Sequence, residues 1–169
     1  MRHKILLLCF VMNFYFLHSF SQANKYVYYF DADLNTTDKS KAVSTGVGSI
    51  ENGLFKLKIS SDLTNQPVLI AFFTDSSLAV KQGLFQSFFK NGRMKSQGNY
   101  ESNIENGSCE EWDSTGHLID SAIYDHGKVI DSTRFYYDEN GALRAHKFID
   151  IKNDKEHIIS YNDSGKIIS

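Results

Sequence analysis

The sequence predicts an all-β protein: an elongated antiparallel meander of repeated β-hairpins, its curved sheet apolar on one face. Three observations carry that expectation. Aromatic residues make up 14% of the 169-residue chain and proline occurs once, where roughly 5% is usual; dense Tyr and Phe favour strands over helices. Gly92, Gly116, Gly141 and Gly165 recur at spacings of 24, 25 and 24 residues, and a fixed period in the twenties marks a repeat architecture. No helical periodicity runs longer than two turns.

Composition bounds the rest. Charged residues at 22% and apolar ones at 41% belong to a globular chain, and this length suits one domain with a real core. A net charge of −2 argues against nucleic acid as a partner, since phosphate binding needs a basic patch.

The chain opens on an address. Arg2, His3 and Lys4 precede an apolar run from Ile5 to Leu17, and small residues stand at Ser21 and Ala23. A basic start, a short apolar middle and a small-x-small end describe a secretory signal peptide over residues 1–23, cleaved after Ala23. The run is too short to span a bilayer, which takes about 20 residues, so no transmembrane segment is expected after cleavage. Loss of Arg2 and Lys4 leaves 16 basic and 20 acidic groups, a mildly acidic mature chain of about −4. Cys109 is then the remaining cysteine, which excludes an internal disulfide and reads as a small buried apolar residue.

Residues 24–82 are read as an N-terminal β segment. Gly53-Leu54-Phe55-Lys56 is taken as the start of a degenerate repeat, with Val68–Phe73 as its second strand.

Residues 83–169 carry the repeats. Phe88, Trp112, Tyr137 and Tyr161 each stand four residues before a period glycine; Met94, Leu118, Leu143 and Ile167 stand two after. Asp113, Asp138 and Asn162 stand three before. Asp or Asn opening a type I turn that closes on a left-handed Gly makes a three-residue hairpin loop with a bulge. That loop sets each aromatic opposite its aliphatic, a stabilising cross-strand pair. Strict alternation then places Leu84, Phe88, Met94, Tyr100, Trp112, Leu118, Ala122 and Tyr124 on one apolar face, with Trp112 as a core anchor. It leaves Phe85, Phe89, Ile119, Ile123, Tyr136 and Phe148 on the wet face, and Asn106-Gly107 and His126-Gly127 as further turns.

These spacings resemble the MORN-type repeats of the bacterial YwqK antitoxin-component family. Gly107, Trp112, Gly116 and Leu118 match that motif, as do Gly83, Phe88, Gly92 and Met94. The third copy has Ser132 and Thr133 where the opening glycine is expected, and the fourth has Glu156 there and ends at Ser169, as a cap would. The resemblance covers about residues 83–169 and implies a MORN-like β-hairpin sheet whose motif residues are structural, with no catalytic residues and an antitoxin-like label.

No chemistry-bearing constellation emerges beside it. Asp31-Ala32-Asp33-Leu34-Asn35 begins like a calcium loop, but Thr36 replaces its glycine and Ala42 its closing Glu. Gly46-Val47-Gly48 lacks a phosphate-binding Lys-Ser/Thr. His117, His126, His146 and His157 lack metal-ligand spacing, and His117, one residue past a turn glycine, reads as an exposed tip. We therefore expect no catalytic residue, no cofactor and no metal. The expected function is that of an exported non-enzymatic scaffold, periplasmic, surface-bound or secreted, that binds a protein or cell-envelope component. Phe89, Ile119, Tyr136 and Phe148 are its candidate contact residues. Two other readings stand beside it: an immunity or antitoxin component acting on a secreted toxin, and an envelope glycan-active protein with aromatics and acids lining a groove.

Overall fold

A computed structural model describes residues 26–151 and 154–169; the expected signal peptide lies outside the described residues. The described part is one open, curved antiparallel sheet of twelve strands, a hairpin meander. Its first half holds β1 (Tyr26–Phe30), a 3-10 turn at Lys39–Lys41, β2 (Ser44–Glu51), β3 (Leu54–Ser61) and β4 (Pro67–Phe73). The second half runs from β5 (Lys81–Phe88) and β6 (Met94–Glu101) through β7 (Ile104–Glu105) and β8 (Gly107–Trp112) to β9 (Leu118–Asp125). It ends with β10 (Lys128–Tyr137), β11 (Leu143–Asp150) and β12 (Lys155–Ser160). Each strand pairs with the one before it, except that β8 pairs with β6 and the short β7 also lies against β6. The boundary expected between residues 82 and 83 falls inside β5, which pairs with both β4 and β6. No helix of the described residues is long and apolar enough to cross a membrane.

The hydrophobic core belongs to the first half. In β3 and β4 alternation is strict, so Phe55, Leu57, Ile59, Leu69, Ala71 and Phe73 face inward and are buried. Between β1 and β3, β2 presents Gly46 and Gly48 to the same side. A Cβ on Gly48 would lie 2.1 Å from the Phe55 ring, and one on Gly46 would lie 2.6 Å from Phe30. The two glycines are the seats into which neighbouring rings fold, a physical reason for the Gly-Val-Gly run. Tyr26 and Tyr28 then pack edge-on to Phe55 at 5.2 and 6.1 Å between centroids. The Tyr28 hydroxyl donates to the Ser76 carbonyl at 2.7 Å, so the β4–β5 loop reaches β1, and Leu78 and Phe85 close over the core.

The second half is built by its turns. Phe88 pairs with Met94, Trp112 with Leu118, Tyr137 with Leu143 and Tyr161 with Ile167, the register a three-residue loop requires. Gly92, Gly116, Gly141 and Gly165 sit at φ between 74° and 97°, where a side chain would be strained. Asn106-Gly107 is not a hairpin turn: the reversal falls at Ser102 and Asn103, both left-handed, and Gly107 begins β8. The His126-Gly127 turn lies between β9 and β10.

Two sequence expectations fail here, for one reason each. A second bulge follows each of the first three loops: Ser87 pairs with Ser96, Glu111 with Asp120 and Tyr136 with Ala145, skipping Lys95, Ile119 and Arg144. One skipped residue inverts the alternation. Phe88, Trp112 and Tyr137 therefore lie on the opposite face from Tyr100, Ala122 and Tyr124, and Phe85 lies with Tyr100, their rings 5.7 Å apart. Nor is Trp112 a core anchor. It is half-buried, and beyond β5 only Gly98 and Ala122 are buried among the described residues. The sheet simply continues past its core, and no second layer of described residues covers it.

Candidate functional site

Three hairpin tips of the second half are each organised by one side chain, Asp113, Asp138 or Asn162. The Asp113 Oδ1 accepts from the backbone N–H groups of Thr115, Gly116 and His117 at 2.8 to 3.0 Å, and from the Thr115 hydroxyl. These donors, the Thr115 hydroxyl foremost, hold the carboxyl well below the usual carboxylate range. Asp138 repeats the arrangement through Asn140 and Ala142, with its carboxyl also lowered, and Asn162 does so through Ser164 and Lys166.

Successive tips are then clasped together. Asn91 donates to the Ser114 carbonyl at 2.8 Å and Arg93 to that of Thr115. His117 stacks on Tyr137 at 4.6 Å and lies against Gly141. Arg144 bridges Asp138 and Asp163. His117 is thus not the exposed tip its position suggested: it is half-buried and joins one repeat to the next.

The face that carries the Gly−4 aromatics gathers a row of rings toward its end. Phe148 is stacked between His146 and His157, at 6.1 and 5.0 Å. His146 also lies beside Phe135 and Tyr161, whose hydroxyl is 3.0 Å from Nδ1. The register β10–β11–β12 aligns Phe135 with His146 and Ile159, and Thr133 with Phe148 and His157. The row crosses three strands and is uncovered among the described residues. Ile123 on the same face is 41% exposed.

The opposite face holds a shallow groove of about 620 Å³ bordered by Cys109, Glu111, Asp120, Tyr124, Arg134 and Lys147. Arg134 donates twice to Asp120, which sits across from Glu111, so these two acids are not equivalent partners for acid–base work. Burial pushes the Cys109 thiol up, away from the thiolate a nucleophile needs. Its Sγ packs where a Cβ of Gly98 would be, 2.8 Å away. Burial likewise raises the Tyr100 and Tyr124 hydroxyls. No group of three or more His, Cys, Asp or Glu among the described residues is placed to hold a metal ion.

The four candidate contact residues do not form one patch. Phe148 and Ile119 lie on the aromatic face. Tyr136, 44% exposed, alternates with Phe135 and points to the groove side. Phe89 sits in the first repeat tip and lines a cavity shared with the β1–β2 and β3–β4 loops. Phe135, His146, His157 and Tyr161, which complete the ring row around Phe148, are not among the expected contact residues. The signal that could have found His146 is its alternation with Phe148 on one strand.

Residues 79–169 match a family model described only as "Uncharacterised protein". The match begins just before β5 and therefore coincides with the part of the sheet that lies beyond the core. No curated protein matches the chain.

Proposed function

The chain belongs to that family of uncharacterised proteins through residues 79–169, and we propose that this repeat half is the binding scaffold of an exported, non-enzymatic protein. The observation that carries the reading is the uncovered ring row of Phe135, His146, Phe148, His157 and Tyr161. Exposed apolar patches on a sheet mark contact surfaces, and aromatic rings supply large contact area at interfaces. Rings already fixed by stacking lose little freedom on binding. The partner that suits a ring-bearing sheet face of this kind is a protein of the envelope. An antitoxin role would be the same contact made with a secreted toxin. A glycan-active role would instead place its chemistry in the groove on the opposite face.

Photo-crosslinking in the exporting cell separates these readings. A photoreactive residue at Phe148 should trap one protein of defined mass, and the same residue at Val129, on the groove side, should not. Equal patterns at both positions, or none at Phe148 with the protein folded and exported, would refute the assignment of this face.

A further inference from the structure

The two halves of the sheet meet around a second cavity that the repeat reading leaves unused. It holds about 660 Å³, within the roughly 300–1,000 Å³ of small-molecule sites. Three loops converge on it: the β1–β2 connection, the β3–β4 loop and the first hairpin tip, residues 89–93. Leu34, Leu63, Val68, Phe88 and Phe89 give it an apolar body.

Two apolar side chains stand on its rim, Leu34 in the β1–β2 connection and Leu63 in the β3–β4 loop. Leu34 is held at φ 62°, a conformation bulky residues avoid, by Asp31, whose Oδ1 accepts from the N–H groups of Asp33 and Asn35. This is the segment whose sequence starts like a calcium loop; here its carboxylate is occupied in shaping the loop. Leu63 stands 93% exposed on the facing loop. Apolar side chains presented to water at a cavity mouth cost stability unless something apolar lies between them. Lys90 and Lys95 also line the cavity, and among the described residues neither ammonium group has a hydrogen bond or a carboxylate partner. The one acid of that lining, Asp31, is engaged by its own loop.

We propose that this cavity binds a small amphiphile, an acyl chain carrying a carboxylate, with the chain between Leu34, Leu63 and Phe89 and the head at Lys90 and Lys95. A charged head beside two unpaired ammonium groups gains charge-assisted contacts that a neutral head does not. The site is independent of the ring row and does not require it.

Dodecanoate and dodecanol, both below the concentration at which they aggregate, are the probes, titrated calorimetrically into the mature protein. The parent should bind one dodecanoate, at least tenfold more tightly than dodecanol. Lys90→Gln with Lys95→Gln should erase that tenfold preference and leave dodecanol binding unchanged. Val68→Trp, which fills the cavity from β4, should remove binding of both while the far-UV spectrum stays that of the parent. The absence of saturable dodecanoate binding to the folded parent would overturn the proposal, as would tight binding that survives Val68→Trp or ignores the two lysines.

Discussion

The strands β2–β4 and β9–β12 follow the same antiparallel plan and are held by different forces. In the first set, packing around Phe55, Ile59 and Ala71 removes whole side chains from water, and the rings of Phe30 and Phe55 close over Gly46 and Gly48. In the second set nothing but Ala122 is buried. Register there comes from local devices: Asp113, Asp138 and Asn162, each tying its own loop, glycines at positive φ, second bulges at Ile119 and Arg144, and a clasp from one repeat tip to the next. The difference teaches that a sheet can run well past its core if every turn is fixed locally, as in repeat proteins whose units contact only their neighbours. It also explains why the two faces of that extension are free to meet something else.

Phe55, the largest fully buried side chain, and Trp112, the single tryptophan, test that difference with the largest expected effects. Phe55→Ala should cost about 3–5 kcal/mol, the loss for a fully buried ring. Trp112→Ala, half-buried beside Leu118, should cost about 1–2 kcal/mol, within the ordinary range for single substitutions. Denaturant titration of both variants measures the gap, and equal losses would mean that the repeat half is packed as tightly as the first.

Smaller effects sharpen the account of the tips. Alanine at a positive-φ glycine costs about 1–2 kcal/mol through backbone strain. At Gly141 the new Cβ would also sit 2.9 Å from the His117 ring, at Gly116 it meets only the Arg93 side chain at 3.7 Å, and at Gly165 it meets nothing within 4 Å. Melting temperatures should therefore fall in the order Gly141→Ala, Gly116→Ala, Gly165→Ala, and His117→Ala should recover part of the first loss. An order that ignores His117 would remove the clasp from the account.

The smallest effect is set by acid. Asp113 and Asp138 have carboxyl pKa values lowered in the fold, by the Thr115 hydroxyl and the Ala142 N–H foremost. Their stabilisation is present above the unfolded carboxylate value of about 3.9 and is lost as pH falls through the lower folded values. Below about pH 4 the tips of the repeat half should loosen before the core of the first half, and Asp113→Asn should reduce that acid dependence. Amide chemical shifts of Thr115 and Gly116 followed against pH would show it.

Much of the fold was legible because turns are written in few residues. Asp113 to Gly116 fixes a loop, and the loop fixes Trp112 against Leu118 without reference to anything distant. The faces were not legible, because the bulges at Lys95, Ile119 and Arg144 carry no residue signature, and one unpaired residue reverses every side chain that follows. The core was missed for a related reason. The aromatic–aliphatic pairs of the repeats look like a core in one dimension, whereas burial depends on what lies above them, and only the first half curls enough to bring β1 against the β4–β5 loop. Of the site, Phe148 and Ile119 could be read from sequence. His146 could be read from its alternation with Phe148 on β11, whereas His157 could not, because its stacking on Phe148 follows from the register between β11 and β12.

Hydrogen exchange in the native state tests the central contrast most directly, since local opening reports how each part of a sheet is held. The amides of β3 and β4, around Phe55, Ile59 and Ala71, should exchange only with global unfolding. Those of β9–β12 should open at clearly lower free energy, with the tip amides of Gly116 and Gly141 outlasting the strand centres between them. One uniform opening free energy from β2 to β12 would contradict the account, because it would show a single core extending through the whole sheet.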